Sequence, residues 1–121
     1  MARILIVDDD TDILMLEEKV LTREGHEVQT VTSGEGALAA IKGREFDLIL
    51  LDIMMPGIDG FEVSRLVKNE AQGKSTPVIF VTARDDSDSM REGFRSGGTV
   101  FLSKPFTANQ LVRVVNSIIR G

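Results

Sequence analysis

A chain of 121 residues with 42% hydrophobic content is the size of one compact domain with a real core. A net charge of −5 argues against a nucleic-acid footprint, and the lack of cysteine excludes disulfides and thiolate metal sites. No apolar run reaches the length of a membrane helix, and the run after Met1-Ala2-Arg3 is too short for a secretory signal, so a cytoplasmic protein is expected.

Ile4-Leu5-Ile6-Val7 reads as a buried strand ending in Asp8-Asp9-Asp10. Asp10 or Thr11 can cap a helix carrying Ile13, Leu14, Leu16, Val20 and Leu21 on one face, with Gly25 as its stop. Residues 28–31 form a second strand. Ser33 caps a helix with Ala37, Leu38 and Ile41 that stops near Gly43. Residues 47–51 form a third strand, whose aliphatic run ends abruptly at Asp52 and the loop Met54-Met55-Pro56-Gly57. Asp59 and Glu62 have capping-box spacing, ahead of a helix with Phe61, Val63, Leu66 and Val67. After a polar loop, Val78-Ile79-Phe80-Val81 is a fourth aliphatic strand, ending at Thr82-Ala83. Residues 85–89 start a polar helix with Met90 and Phe94 on one face and Gly97-Gly98 as the stop. Val100-Phe101-Leu102 is a last short strand before Ser103-Lys104-Pro105. Thr107 and Gln110 make a second capping box, and the final helix carries Leu111, Val112, Val114, Val115, Ile118 and Ile119.

Five strand–helix alternations predict an α/β fold with a parallel sheet covered on both faces. Ligands of such sheets bind beyond the carboxyl ends of the strands. The residues there are Asp8 and Asp9, Asp52, Thr82 and Lys104. Three carboxylates at one edge repel each other, and a hard divalent cation such as Mg²⁺ resolves the repulsion. With a cation in place a carboxylate can act as nucleophile toward a phosphoryl group, and Lys104 and Thr82 suit its oxygens.

The motifs Ile4-Leu5-Ile6-Val7-Asp8-Asp9, Leu50-Leu51-Asp52-Ile53-Met54-Met55-Pro56-Gly57, Val81-Thr82-Ala83 and Leu102-Ser103-Lys104-Pro105-Phe106 stand in order along nearly the whole chain. The sequence thereby resembles the receiver domain of bacterial two-component response regulators. The resemblance implies a flavodoxin-like (βα)5 sandwich, a single domain over residues 1–121, with strand order 2-1-3-4-5 and helices on both faces. It implies that Asp52 accepts a phosphoryl group from a sensor histidine kinase or histidine phosphotransfer protein. Asp8, Asp9, Asp52 and the Met54 backbone carbonyl would then hold Mg²⁺, with Mn²⁺ as a substitute. Lys104, Thr82 and the Ala83 backbone would hold the phosphoryl oxygens. The Lys104-Pro105 bond is expected to be cis. Thr82 and Phe101 would form a switch that reshapes the face of the fourth helix, last strand and last helix for a partner, an output domain or a second copy of the chain. Such a domain is a phosphoacceptor that assists its own phosphorylation and dephosphorylation, not a turnover enzyme, and it touches neither nucleic acid nor membrane.

Some residues carry plainer readings. Asp10 and Asp12 read as a solvated acidic helix start, and His26 as an exposed structural histidine. Gly98-Thr99-Val100 departs from the alanine and acidic residues usual in the family. Gln110 and Val114 stand where Glu and Arg often occur in the family's winged-helix transcription-factor branch, which uses a charged dimer face. Val112 and Ile119 form either a contact surface or a tucked extension of the core. Met54 and Arg84 flank the site entrance. Three rivals remain. A constitutive docking module keeps the fold. An aspartyl-nucleophile phosphatase wants an acid where Met54 stands. A flavin site wants a Ser/Thr/Gly-rich loop where Asp8 to Asp10 stand. The chain, ending at Arg120-Gly121, is either a complete single-domain regulator or one domain of a longer protein.

Overall fold

The computed structural model describes residues 1–84 and 86–120. Five strands alternate with five helices: β1 Arg3–Val7, α1 Thr11–Arg23, β2 Glu27–Val31, α2 Gly34–Gly43, β3 Leu48–Leu51, α3 Gly60–Asn69, β4 Val78–Thr82, α4 Ser87–Arg95, β5 Val100–Ser103 and α5 Ala108–Ile119. All pairings are parallel, and the strand order is β2-β1-β3-β4-β5, the order the resemblance implied.

The aliphatic runs have no polar alternation because both faces of the sheet are covered. Leu5, Val7, Ile49, Leu51, Val78 and Phe80 point to one core, shared with α2 and α3. Their neighbours Ile4, Ile6, Leu48, Leu50, Ile79 and Val81 point to a second, shared with α1 and α5. Each helix start is fixed by a side chain that accepts an otherwise unpaired backbone N–H. Asp10 accepts from Asp12 and Ile13, Ser33 from Gly36, Asp59 from Glu62 and Asp86 from Ser89. The reciprocal box forms at Thr107 and Gln110. Glu62, which its spacing paired with Asp59 in a capping box, accepts instead from the Arg65 guanidinium at 3.2 Å. The Lys104–Pro105 peptide is cis.

Two helix faces differ from the expected ones, and a third is settled between its alternatives. In α1 the buried residues are Leu14, Glu17, Val20 and Leu21, while Leu16 is half exposed. In α4, Ser89 and Gly93 face inward, and Phe94 is 50% exposed. The reason is close approach: a Cβ on Gly93 would lie 2.5 Å from the Phe101 ring, so only small residues fit beneath this helix. The expected start at Asp85 lies outside the described residues. In α5, Leu111 and Val115 are fully buried, and Val112 and Ile119 pack onto the same core, the tucked arrangement.

Two other differences have local causes. Gly98, an alanine position by resemblance, sits where a Cβ would be 2.4 Å from the buried Phe80 ring. His26 is partly buried, not exposed, and its Nδ1 accepts the Ala2 backbone N–H at 3.1 Å.

Candidate active site and metal centre

The site is assembled by strand register. Asp8 follows β1 and Asp52 follows β3, and the Asp52 N–H donates to the Val7 carbonyl at 3.0 Å. That bond sets the two carboxylates side by side. β5 ends beside β4, with the Lys104 N–H donating to the Thr82 carbonyl at 2.9 Å. The Lys104 side chain then crosses the edge and donates to Asp8 Oδ2 at 2.8 Å and to Asp52 Oδ2 at 3.3 Å. Asp8 Oδ1 accepts from the Asp10 N–H at 2.9 Å, and Asp52 Oδ1 from the Met54 N–H at 3.4 Å.

Burial gives these contacts their force. Asp8 and Asp52 are both buried, whereas Asp9 is exposed at the rim. Burial raises the Asp52 carboxyl above its ordinary pKa, and the Asp8 charge raises it further. Lys104 and the Met54 N–H pull it back. Burial acts on Lys104 in the opposite sense, but the hydrogen bond to Asp8 and the charges of both carboxylates outweigh it, so the ammonium is held above its ordinary pKa.

Asp8, Asp9 and Asp52 each bring a carboxylate oxygen within 4.8 Å of the others. An all-oxygen set with two buried members and one at the solvent rim fits a hard divalent cation with several retained waters. Met54, the expected carbonyl ligand, lies in the loop beyond Asp52 with its side chain 59% exposed.

The phosphate-holding residues sit one strand over. Thr82 is fully buried at the end of β4, and its hydroxyl accepts the Arg84 N–H at 3.1 Å. Ala83 is exposed beside it. Phe101 pairs in register with Phe80, their ring centroids 5.3 Å apart. Among the expected residues, then, Asp8, Asp52 and Lys104 form one hydrogen-bonded group, with an Asp9 carboxylate oxygen within 4.8 Å of the other two carboxylates. Thr82, Ala83 and Phe101 form a second tier leading away along β4 and β5. An apolar cleft of about 410 Å³ lined by Ile13, Leu16, Ala83, Lys104, Pro105 and Phe106 opens beside Lys104.

Two contributors were missed by sequence reasoning. Gly60 packs its Cα against the site strand: an added Cβ would be 2.3 Å from the Asp52 carbonyl oxygen. Nothing but three-dimensional proximity marks it. Glu17 is only 1% exposed, and neither of its carboxylate oxygens has a hydrogen-bond partner among the described residues. Burial and the nearby Asp8 charge push its pKa up to about 8, against the pull of Lys104. Its signal was present, since position 17 falls three residues after Leu14 and four before Leu21 on the inward face.

The family model described as "Response regulator receiver domain" matches residues 4–116. The chain belongs to this family of receiver domains. It is 39% identical over 118 residues to the transcriptional regulatory protein TcrA of Mycobacterium tuberculosis, covering 98% of this chain but 46% of TcrA. The chain thus spans about half the length of that relative. Among solved structures, the chemotaxis protein CheY4 of Vibrio cholerae superposes with a TM-score of 0.95 at 34% identity, over 98% of each chain. The receiver domain of the sensor histidine kinase PA1611 of Pseudomonas aeruginosa superposes with a TM-score of 0.91 at 27% identity, over 99% of this chain and 98% of that one. That structure has a magnesium ion coordinated in its active-site cleft. This receiver domain is accordingly a signalling domain of two-component response regulators. No helix among the described residues is long and apolar enough to cross a membrane.

Proposed function

We propose that residues 1–121 act as one receiver domain whose phosphoacceptor is Asp52. The observation that carries this reading is the Lys104 ammonium placed within hydrogen-bonding distance of both Asp8 and Asp52. A cation there offsets the mutual repulsion of two buried carboxylates, and it is positioned to meet phosphoryl oxygens that arrive at Asp52.

The donor is a phosphohistidine on a sensor histidine kinase or a histidine phosphotransfer protein, and the reaction takes place in the cytoplasm. An Asp52 Oδ attacks phosphorus, the P–N bond breaks, and the imidazole leaves with its electron pair and takes up a proton. The product is an acyl phosphate. What a bound Mg²⁺ supplies, held by Asp8, Asp9, Asp52 and the Met54 carbonyl, is compensation for charge on the phosphoryl oxygens. Mn²⁺ substitutes for it. Lys104 turns from the carboxylates to the phosphoryl group, and the Ala83 N–H and the Thr82 hydroxyl donate to its remaining oxygens.

The acyl phosphate replaces the Asp52 carboxylate, so it adds about one negative charge and three acceptor oxygens there. Drawing Thr82 from its bond with Arg84 frees space along β4 for Phe101. The α4–β5–α5 face changes shape and is read by a partner, an output domain or a second copy. Positions 110 and 114 offer that face no charge pair: Gln110 turns back to accept the Thr107 N–H, and Val114 packs toward the α1–α5 core.

Intact-mass measurement after incubation with acetyl phosphate and Mg²⁺ tests the assignment. The wild-type chain gains one phosphoryl group, and the Asp52→Asn variant gains none. A variant that still gained one would overturn it.

A further inference from the structure

Phe101 is held by more than its own strand. Its ring lies 5.3 Å from the Phe80 ring and 5.7 Å from the Phe94 ring, centroid to centroid, and its tip lies directly beneath α4 at Gly93. A Cβ at position 93 would fall 2.5 Å from Phe101 Cζ and 2.6 Å from Cε1, far inside van der Waals contact. The missing side chain of Gly93 therefore forms the seat of the ring.

What yields if that seat is filled is decided by the surroundings. The helix is pinned. The buried Ser64 hydroxyl donates to the Ser96 carbonyl at 2.8 Å, and Arg65 of α3 pairs with Glu92 of α4. The Ser96 hydroxyl and the Gly98 N–H both donate to the Gly93 carbonyl, at 2.7 and 2.9 Å. Phe80 is fully buried, and its Cδ2 would lie 3.2 Å from the same Cβ, a much milder contact than that with Phe101. Phe101 is only partly buried, on the edge strand β5, and the atoms it presents to Gly93 are at the far end of its side chain.

We infer that Gly93 is the positioning residue of the Phe101 switch: its bare Cα holds the ring in its resting seat, and any side chain there unseats the ring without phosphorylation. The inference rests on the switch reading of Phe101 given above.

Aromatic ¹³C–¹H NMR tests it, because the only aromatic side chains are six phenylalanines and one histidine. The Phe101 signals are assigned with Phe101→Leu. In the untreated Gly93→Ala protein the Phe101 ring signals are expected to shift away from their wild-type positions. Unchanged signals would overturn the inference. Wild-type signals that stay put after mass-verified phosphorylation would overturn the switch reading alone, since the Gly93→Ala comparison is made without phosphorylation.

Thermal melts give a second arm that does not require the single variant to be well folded. Alanine is a better helix former than glycine. Gly93→Ala is thus expected to lower the Tm when Phe101 is present and to raise it in a Phe101→Ala background. The same shift in both backgrounds would overturn the inference.

Discussion

Lys104 and Asp8, 96 residues apart in sequence, meet at 2.8 Å in a nearly solvent-free edge of the sheet. The same ammonium reaches Asp52 at 3.3 Å. One positive charge thus stands between two buried negative ones. Removing it leaves two buried carboxylates with one backbone N–H each, from Asp10 and Met54, and a buried pair broken in this way costs several kcal/mol.

Lys104→Met is expected to lower stability by about 3 kcal/mol in the absence of divalent cations. Added Mg²⁺ should recover a large part of the loss, because a second cation then serves the same carboxylates. Urea denaturation of wild type and variant, with and without Mg²⁺, measures both effects. An equal loss under both conditions would separate the lysine from the metal site.

Gly60 supplies a second prediction. Its Cα lies so close to the site strand that an added Cβ would meet the Asp52 carbonyl oxygen at 2.3 Å and the Ile53 Cα at 2.7 Å. Both are backbone atoms and cannot rotate aside. The Gly60 N–H also donates to the Ile53 carbonyl at 2.9 Å, which ties the start of α3 to the segment that carries Asp52. Gly60→Ala should therefore cost about 3 kcal/mol through overpacking. It should also slow acetyl-phosphate labelling by roughly tenfold or more, since displacement of a reacting group is expensive. Labelling at the wild-type rate would show that Asp52 tolerates the shift.

These dependencies mark the boundary of what was legible in the chain. Asp8, Asp52 and Lys104 could be placed together because each follows a short apolar strand, and parallel strands bring their carboxyl ends to one edge. The caps at Ser33, Asp59 and Thr107 were legible because capping is a local interaction, and the first was narrowed to Asp10 or Thr11, of which Asp10 caps. The inward face of α4 was not. Hydrophobicity pointed to Met90 and Phe94, but the close packing against Phe80 and Phe101 selects Ser89 and Gly93. Gly60 was missed for the same reason, as steric limits set by distant residues leave no periodic mark. Glu17 was missed because an acidic residue on a helix is read as solvated.

The bond from the Ser64 hydroxyl to the Ser96 carbonyl is 2.8 Å long and buried, and it joins α3 to the end of α4. Ser64→Ala removes the donor and leaves a buried carbonyl with one partner fewer. The expected loss is about 1.5 kcal/mol. Amide hydrogen exchange should quicken in α4 more than in α1, because the anchor lost is specific to the α3–α4 pair. Uniform acceleration across the domain would mean that α4 is held by other contacts.

Glu17 gives the domain a stability that falls as pH rises. In the unfolded chain its carboxyl titrates near 4.5, and in the folded protein burial and the Asp8 charge push it up to about 8. Below 4.5 both states hold the proton, and the residue sets no pH slope. Between 4.5 and 8 the folded state keeps a proton that the unfolded state has released, so every step upward favours unfolding. The stability present at low pH is lost as pH rises through the folded value. Glu17→Gln has the same shape and cannot ionise. The stability of wild type minus that of the variant is expected to fall by on the order of 4 kcal/mol from pH 4.5 to pH 8. Taking the difference cancels the titrating groups that do not interact with Glu17, such as His26, whose own pKa is lowered by burial. Urea denaturation across the range measures it. Glu17→Leu, which adds no polar atom to the pocket, should exceed wild type in stability at pH 8. A flat difference would mean that Glu17 ionises at its ordinary pKa and is compensated in the folded protein by hydration or by Lys104.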